Sequence, residues 1–119
     1  MDKIFESEYR FLSLLWSVEP VGSTELVRLC DQQLGWKKST TYTVIRKLAS
    51  KGIVRNENAV VSSLVSKEQV DRAESEELLQ RTTKGNIPEF LASFMKGRKL
   101  SRKDIESIRR MIDQVEEEE

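Results

Sequence analysis

Between Gln32 and Asn56 the chain carries Lys37, Lys38, Arg46, Lys47, Lys51 and Arg55 and not one acid. Thr40, Thr43 and Ser50 are interspersed among these cations. Ammonium and guanidinium groups alternating with short hydroxyls are the donors that hold anions and recognise hydrogen-bonding edges. An ordinary solvated helix face has a similar composition, so both readings stand at this point. Other chemistry is poorly served. The sequence has no histidine, and its single cysteine, Cys30, can form neither an internal disulfide nor a multi-thiolate metal site. Ser-His, Cys-His and zinc-water catalysis are therefore excluded, and the expectation is a non-enzyme without cofactor or metal.

The elements that position these groups follow from periodicity and punctuation. Tyr9, Leu12, Leu15 and Trp16 recur at helical spacing, giving a first helix from about Ser7 to Ser17, ended by Pro20 and Gly22. Ser23 is the expected N-cap of a second helix with Leu26, Val27, Leu29, Cys30 and Leu34 on its apolar side, stopped by Gly35. A third helix spans about Lys38 to Lys51. Thr41, Val44, Ile45 and Leu48 form its buried stripe, Gly52 its left-handed C-cap, and Thr40, Thr43, Arg46, Lys47 and Ser50 its other face.

After Gly52 the pattern becomes β-branched. Ile53-Val54-Arg55, a turn at Glu57-Asn58 and Ala59 to Val65 read as two antiparallel strands. Helix, helix, helix, hairpin is the order of a winged helix-turn-helix, so the fold class expected is mainly α with a short β-hairpin wing and a C-terminal helical dimerisation segment. Ser66 caps a highly charged fourth helix through Val70, Ala73, Glu77 and Leu78 to about Thr83. Pro88 opens a fifth with Phe90, Leu91, Phe94 and Met95, and Ser101 with Asp104 opens a sixth with Ile105, Ile108, Met111, Ile112 and Val115.

The chain's 119 residues contain 38% hydrophobic and 34% charged residues, with twenty acids balancing twenty bases. No apolar run approaches the roughly 18 residues of a membrane span and no signal peptide is evident, so a soluble, cytoplasmic protein is expected, without a membrane partner. The boundary is placed between a winged-helix domain, 1–65, and a helical domain, 66–119. Three short helices with two apolar stripes hold too little chain to close a core, and a second copy of the same region is the expected cover. The interface would comprise Leu78, Phe90, Leu91, Phe94, Met95, Ile105, Ile108, Met111 and Ile112. Folding back on the winged helix in a monomer is the alternative.

The chain resembles the BlaI/MecI/CopY-type penicillinase repressors over nearly its whole length. Three blocks carry the resemblance: Glu8-Tyr9 with Leu14-Leu15-Trp16; Trp36 with Thr40, Thr43, Val44, Ile45, Lys47, Leu48, Lys51 and Gly52; and Phe90 to Phe94 with Leu100-Ser101, Asp104-Ile105 and Ile108. The resemblance implies a homodimeric transcriptional repressor on a pseudo-palindromic double-stranded DNA operator, released by a sensor-protease or other antirepressor. On that footing Thr40, Thr43 and Arg46, three apart opposite Val44 and Leu48, are expected at base edges. Lys37, Lys38, Ser39, Lys47, Lys51 and Arg55 are expected at phosphates, and Trp16 and Trp36 in the core.

The departures are specific. Family members are cut at an Asn-Phe bond where this chain has Ser93-Phe94, and copper-responsive members end in Cys-X-Cys motifs where this tail has glutamates. The wing turn Glu57-Asn58 carries no base. Cys30, on the apolar side of its helix, is expected as a buried structural thiol. A winged-helix module used only for protein contacts is the competing function, and it suits the zero net charge better.

Overall fold

The computed structural model describes residues 1–118 and divides into two compact units, Met1–Leu78 and the chain from Leu79 onward. The first unit is a winged helix-turn-helix built from α1 (Glu6–Val18), β1 (Val21–Gly22), α2 (Ser23–Leu34), α3 (Lys38–Ser50), β2 (Val54–Glu57), β3 (Val60–Ser63) and the start of α4 (Lys67–Thr83). Its core includes Phe11, Leu12 and Leu15 from α1, Leu26 and Cys30 from α2, Ile45 and Leu48 from α3, Val61 from β3 and Val70 from α4. The expected stripe of α3 is buried in full: Thr41, Val44, Ile45 and Leu48 all lie inside. Apolar side chains three and four apart occupy one side of the cylinder, so burying that side leaves the polar side in water.

Gly35 produces the helix-turn-helix corner. It sits in the left-handed region at φ +70°, with its N–H on the carbonyl of Asp31 and the N–H of Trp36 on that of Cys30. A side chain there would be strained, whereas glycine adopts the conformation freely. The chain then turns within three residues into α3. Trp36 stacks nearly parallel on Phe11, ring centroids 6.1 Å apart, fixing the corner to α1. Trp16 donates its indole N–H to the carbonyl of Val65 at 3.0 Å. Both tryptophans thus pack within the fold, as expected.

The sheet has three strands where two were expected. β1 pairs antiparallel with β3 (Val21↔Val61, Gly22↔Val60) and β3 with β2 (Val54↔Ser63 through Glu57↔Val60), in the order β1-β3-β2. The hairpin turn is Asn58-Ala59, both at positive φ (52° and 60°), one residue beyond the expected Glu57-Asn58, because Glu57 still pairs with Val60. Two positive-φ central residues match the right-handed twist of the flanking strands. The extra strand also alters the cap of α2. Gly22 occupies the cap position, and Ser23 is the first helical residue, its N–H on the carbonyl of Ala59 at 2.8 Å.

The winged-helix unit extends past residue 65 to Leu78, further than the composition suggested. Val70 is fully buried in the core, and the Tyr9 hydroxyl donates to Asp71 at 2.6 Å, so the first turns of α4 belong with α1. Ser66 caps α4 reciprocally: its Oγ accepts from the Gln69 N–H at 3.1 Å, and the Gln69 Oε1 accepts from the Ser66 N–H at 2.8 Å.

The second unit carries the end of α4, α5 (Ile87–Met95) and α6 (Arg102–Gln114). Asn86 caps α5 through the N–H of Glu89 at 2.9 Å, and Ser101 caps α6 through that of Asp104 at 3.1 Å, the latter as expected. Neither α5 nor α6 contains a buried residue.

Candidate nucleic-acid interface

The outer face of α3 brings the expected residues together. Lys37 is its N-cap residue, and Lys38, Ser39, Thr40, Arg46 and Lys47 are exposed along it. The first turn holds no acid, and among the described residues Lys37, Lys38, Arg46 and Lys47 belong to no ion pair. Lys37 and Lys38 stand at the helix N-terminus, where the backbone N–H groups add partial positive charge, and Arg46 and Lys47 extend the unpaired cations along the same face toward its other end, so the face suits an anion.

Local hydrogen bonds preset two of these groups. The Thr43 hydroxyl donates to the carbonyl of Ser39 at 2.9 Å and accepts from the Arg46 guanidinium at 3.3 Å. The guanidinium is thereby steered along the helix with most of its donors uncommitted. Lys38, Ser39, Tyr42, Thr43 and Arg46 line a shallow depression on this face. Tyr42, absent from the expected set, donates its hydroxyl to Ser23 at the start of α2, 3.4 Å away, and the Lys38 ammonium lies 6.0 Å from the centre of its ring. The available signal was an aromatic four residues from a lysine on an otherwise polar face.

Two of the residues expected at phosphates have acidic partners, of very different strength. Lys51 donates to both carboxylate oxygens of Glu8, at 3.0 and 3.1 Å, and to the carbonyl of Lys3 at 3.0 Å. Its side chain is 20% exposed and that of Glu8 5%. Lys51, expected at a phosphate, is thus a part-buried cation paired within the fold. Arg55, on β2, lies 3.6 Å from Glu57, with both side chains more than half exposed; such a pair holds weakly and leaves Arg55 on the surface.

Glu8 is the residue whose role the sequence concealed. Nearly fully buried, it accepts the Phe5 N–H at 2.9 Å at the start of α1 as well as the Lys51 ammonium. Glu19 is similar: its carboxylate accepts from the Ser63 N–H and hydroxyl at 2.8 Å, tying the end of α1 to β3. Cys30 is fully buried, and burial pushes its thiol pKa up, partly offset by a hydrogen bond with Thr41. That environment disfavours the thiolate, in keeping with the structural role expected of it.

In the second unit Phe90 and Phe94 meet edge to face, ring centroids 5.5 Å apart. Phe94, Met111 and Ile112 are 42%, 61% and 59% exposed, while Phe90, Leu91, Met95, Ile105 and Ile108 are half-buried. Leu78, the last residue of the first unit, is 40% exposed. Ser93 is exposed, its hydroxyl donating to the Phe90 carbonyl at 2.6 Å. Among the described residues there is no cluster suited to a metal ion, and no helix is long and apolar enough to cross a membrane.

Known proteins resemble this chain along its length. The methicillin resistance regulatory protein MecI of Staphylococcus aureus strain Mu50 is 22% identical over 115 residues, covering 93% of this chain and 94% of its own, and that of Mammaliicoccus sciuri is 21% identical with the same coverage. An uncharacterized 16.5 kDa protein from the ptsI 3′ region of Latilactobacillus sakei is 32% identical over 56 residues, 47% of this chain and 38% of its own. Among solved structures, a MarR/EmrR family transcriptional regulator from Acinetobacter sp. ADP1 superimposes with a TM-score of 0.49 at 17% identity, covering 94% of this chain and 78% of that one. The penicillinase repressor profile matches residues 4–114, and with that span the chain belongs to the penicillinase repressor family of transcriptional regulators.

Proposed function

We propose that the protein is a sequence-specific DNA-binding repressor that acts as a homodimer on a pseudo-palindromic operator. The observation that carries this reading is the outer face of α3, where Lys37, Lys38, Arg46 and Lys47 lie exposed and outside any described ion pair, beside Thr40 and Thr43. A helix of this kind fits the major groove, with Thr40, Thr43 and Arg46 toward base edges and Lys37, Lys38, Ser39 and Lys47 toward phosphates. Arg55 adds a phosphate contact from β2. The turn Asn58-Ala59 carries no cation to enter a minor groove.

Dimerisation gives one such helix a useful affinity. Two half-sites about one turn of duplex apart, roughly 34 Å, make the second contact intramolecular. The apolar residues of α5 and α6, none buried within the chain, are the surface a second copy would cover. Ser93 in place of asparagine before Phe94 removes the residue on which the family's cleavage pattern depends, so release from DNA here would proceed through a protease of different preference or another antirepressor.

The test is the salt dependence of binding to a duplex enriched from a random library. A dimer neutralising about six to ten phosphates gives a log-log slope of about −0.9 per phosphate. A flat response would overturn the reading in favour of a protein-contact module, which the zero net charge suits. On the enriched duplex, Arg46→Ala is expected to relax sequence preference, and Lys47→Ala to weaken all duplexes alike.

A further inference from the structure

The depression on the outer face of α3 is polar and cationic around its rim, yet its lining includes an aromatic ring. Lys38, Tyr42 and Arg46 stand at i, i+4 and i+8 along one row of the helix, with Ser39 and Thr43 in the adjacent row, and all five line it. The ring of Tyr42 is half-buried and restrained at its far end by the hydroxyl's bond to Ser23, itself buried at the start of α2. A ring held by its own packing presents apolar surface at little further entropic cost. Thr43 contributes in the same sense. With its one proton donated to the Ser39 carbonyl and one lone pair taken by Arg46, its hydroxyl can no longer donate to a base, and its methyl is the apolar group it presents. An apolar floor between cationic walls matches one feature of the major groove, the C5 methyl of thymine, which lies beside hydrogen-bonding base edges and between phosphate rows.

We propose that Tyr42 and Thr43 form a thymine-methyl subsite within the recognition face, with Tyr42 as a specificity-determining residue. The proposal rests on the DNA-binding reading above and deepens it by naming a base. It also revises the role of Thr43 from hydrogen-bonding to apolar contact. Arg46 and Lys38, at the rim, supply the charge that draws the duplex in, and the methyl supplies the discrimination.

The experiment uses the full chain and a duplex enriched from a random library, resynthesised with deoxyuridine replacing thymine one position at a time. Deoxyuridine pairs like thymine and lacks only the methyl, so electrostatics and hydrogen bonding stay fixed. Burying one methyl is worth about a fourfold change in affinity per half-site, and that loss is expected at one thymine of each half-site. Tyr42→Phe should retain the discrimination, since the ring remains. Tyr42→Ala should abolish it, binding the thymine and deoxyuridine duplexes equally. A merely structural role for Tyr42 would instead weaken both duplexes alike and leave their ratio unchanged. Circular dichroism on both variants confirms that the fold is kept. The proposal is overturned if deoxyuridine is neutral at every position, if the enriched half-site lacks thymine, or if Tyr42→Ala preserves the ratio. Failure to enrich any duplex would overturn the DNA-binding reading together with the subsite, an outcome plainly distinct from these.

Discussion

The ammonium of Lys51 sits against the two carboxylate oxygens of Glu8, with the ring of Phe5 5.0 Å away. From sequence, Lys51 is one more base in an acid-free stretch, because its counter-charge lies 43 positions away. No local pattern reports such a pairing. The same blindness hid Glu8, legible beside Tyr9 but not as the residue that accepts the Phe5 N–H and receives Lys51. The consequence is testable. Lys51→Met should lower unfolding free energy by about 2 kcal/mol in urea titrations, since it leaves a buried carboxylate short of its cation. The salt slope of DNA binding should stay unchanged. Lys47→Ala should do the reverse, leaving stability intact and making the slope shallower by about 0.9 for each phosphate it no longer neutralises. Cys30 was readable from its place on the apolar side of its helix. Its thiol should resist Ellman's reagent in the folded protein and react along the urea unfolding curve. Because burial raises the folded-state pKa, its contribution to stability is present below the thiol's ordinary pKa and is lost as pH rises from there through the raised folded-state value. Reaction with the reagent under native conditions near neutral pH would contradict this.

At the scale of elements, what could be read and what could not follows the length of the signal. The stripe Thr41, Val44, Ile45 and Leu48 repeats over three turns and fixed the inward face of α3, and the caps Ser66 and Ser101 were legible because capping is local. β1 was not. Two residues, Val21 and Gly22, carry no period, and they are a strand only because β3 lies beside them. The hairpin turn slipped by one residue for a related reason: register is set by pairing across the sheet, and Ala59 is an unfavourable occupant of a left-handed position. An alanine Cβ at φ 60° crowds the following carbonyl, costing about 1 kcal/mol or more. Ala59→Gly should therefore stabilise the protein by about 0.5 kcal/mol after allowance for the freer unfolded chain, read as a higher urea midpoint at constant slope. The Ala59 carbonyl, which receives the Ser23 N–H, is retained. A lower midpoint would mean that the turn carries no strain.

On the scale of the whole molecule, the fold class was legible and the part of α4 in the first core was not, because α4 contributes a fully buried Val70 while its composition is that of an exposed helix. A charged helix with one buried residue gives no period to detect. The opposite pattern in α5 and α6, strongly apolar residues of which none is buried, is the largest uncovered demand in the molecule. Met111 and Ile112 are each more than half exposed, and Phe94 nearly so. Exposed side chains of this size cost solubility unless another surface meets them, and a point-group dimer meets identical patches with each other. Phe94→Glu and Ile108→Glu should each place a lone carboxylate in that interface, raising the dimer dissociation constant roughly 100-fold or more and giving monomers in sedimentation at micromolar concentration. The winged-helix unit should remain folded in both, because neither residue belongs to its core. Affinity for a two-half-site duplex should then fall toward that for a single half-site, since the second half-site is no longer reached by a tethered partner. A variant that sediments as a monomer yet keeps full affinity would separate dimerisation from DNA binding. A persistent dimer in both variants would move the interface off α5 and α6.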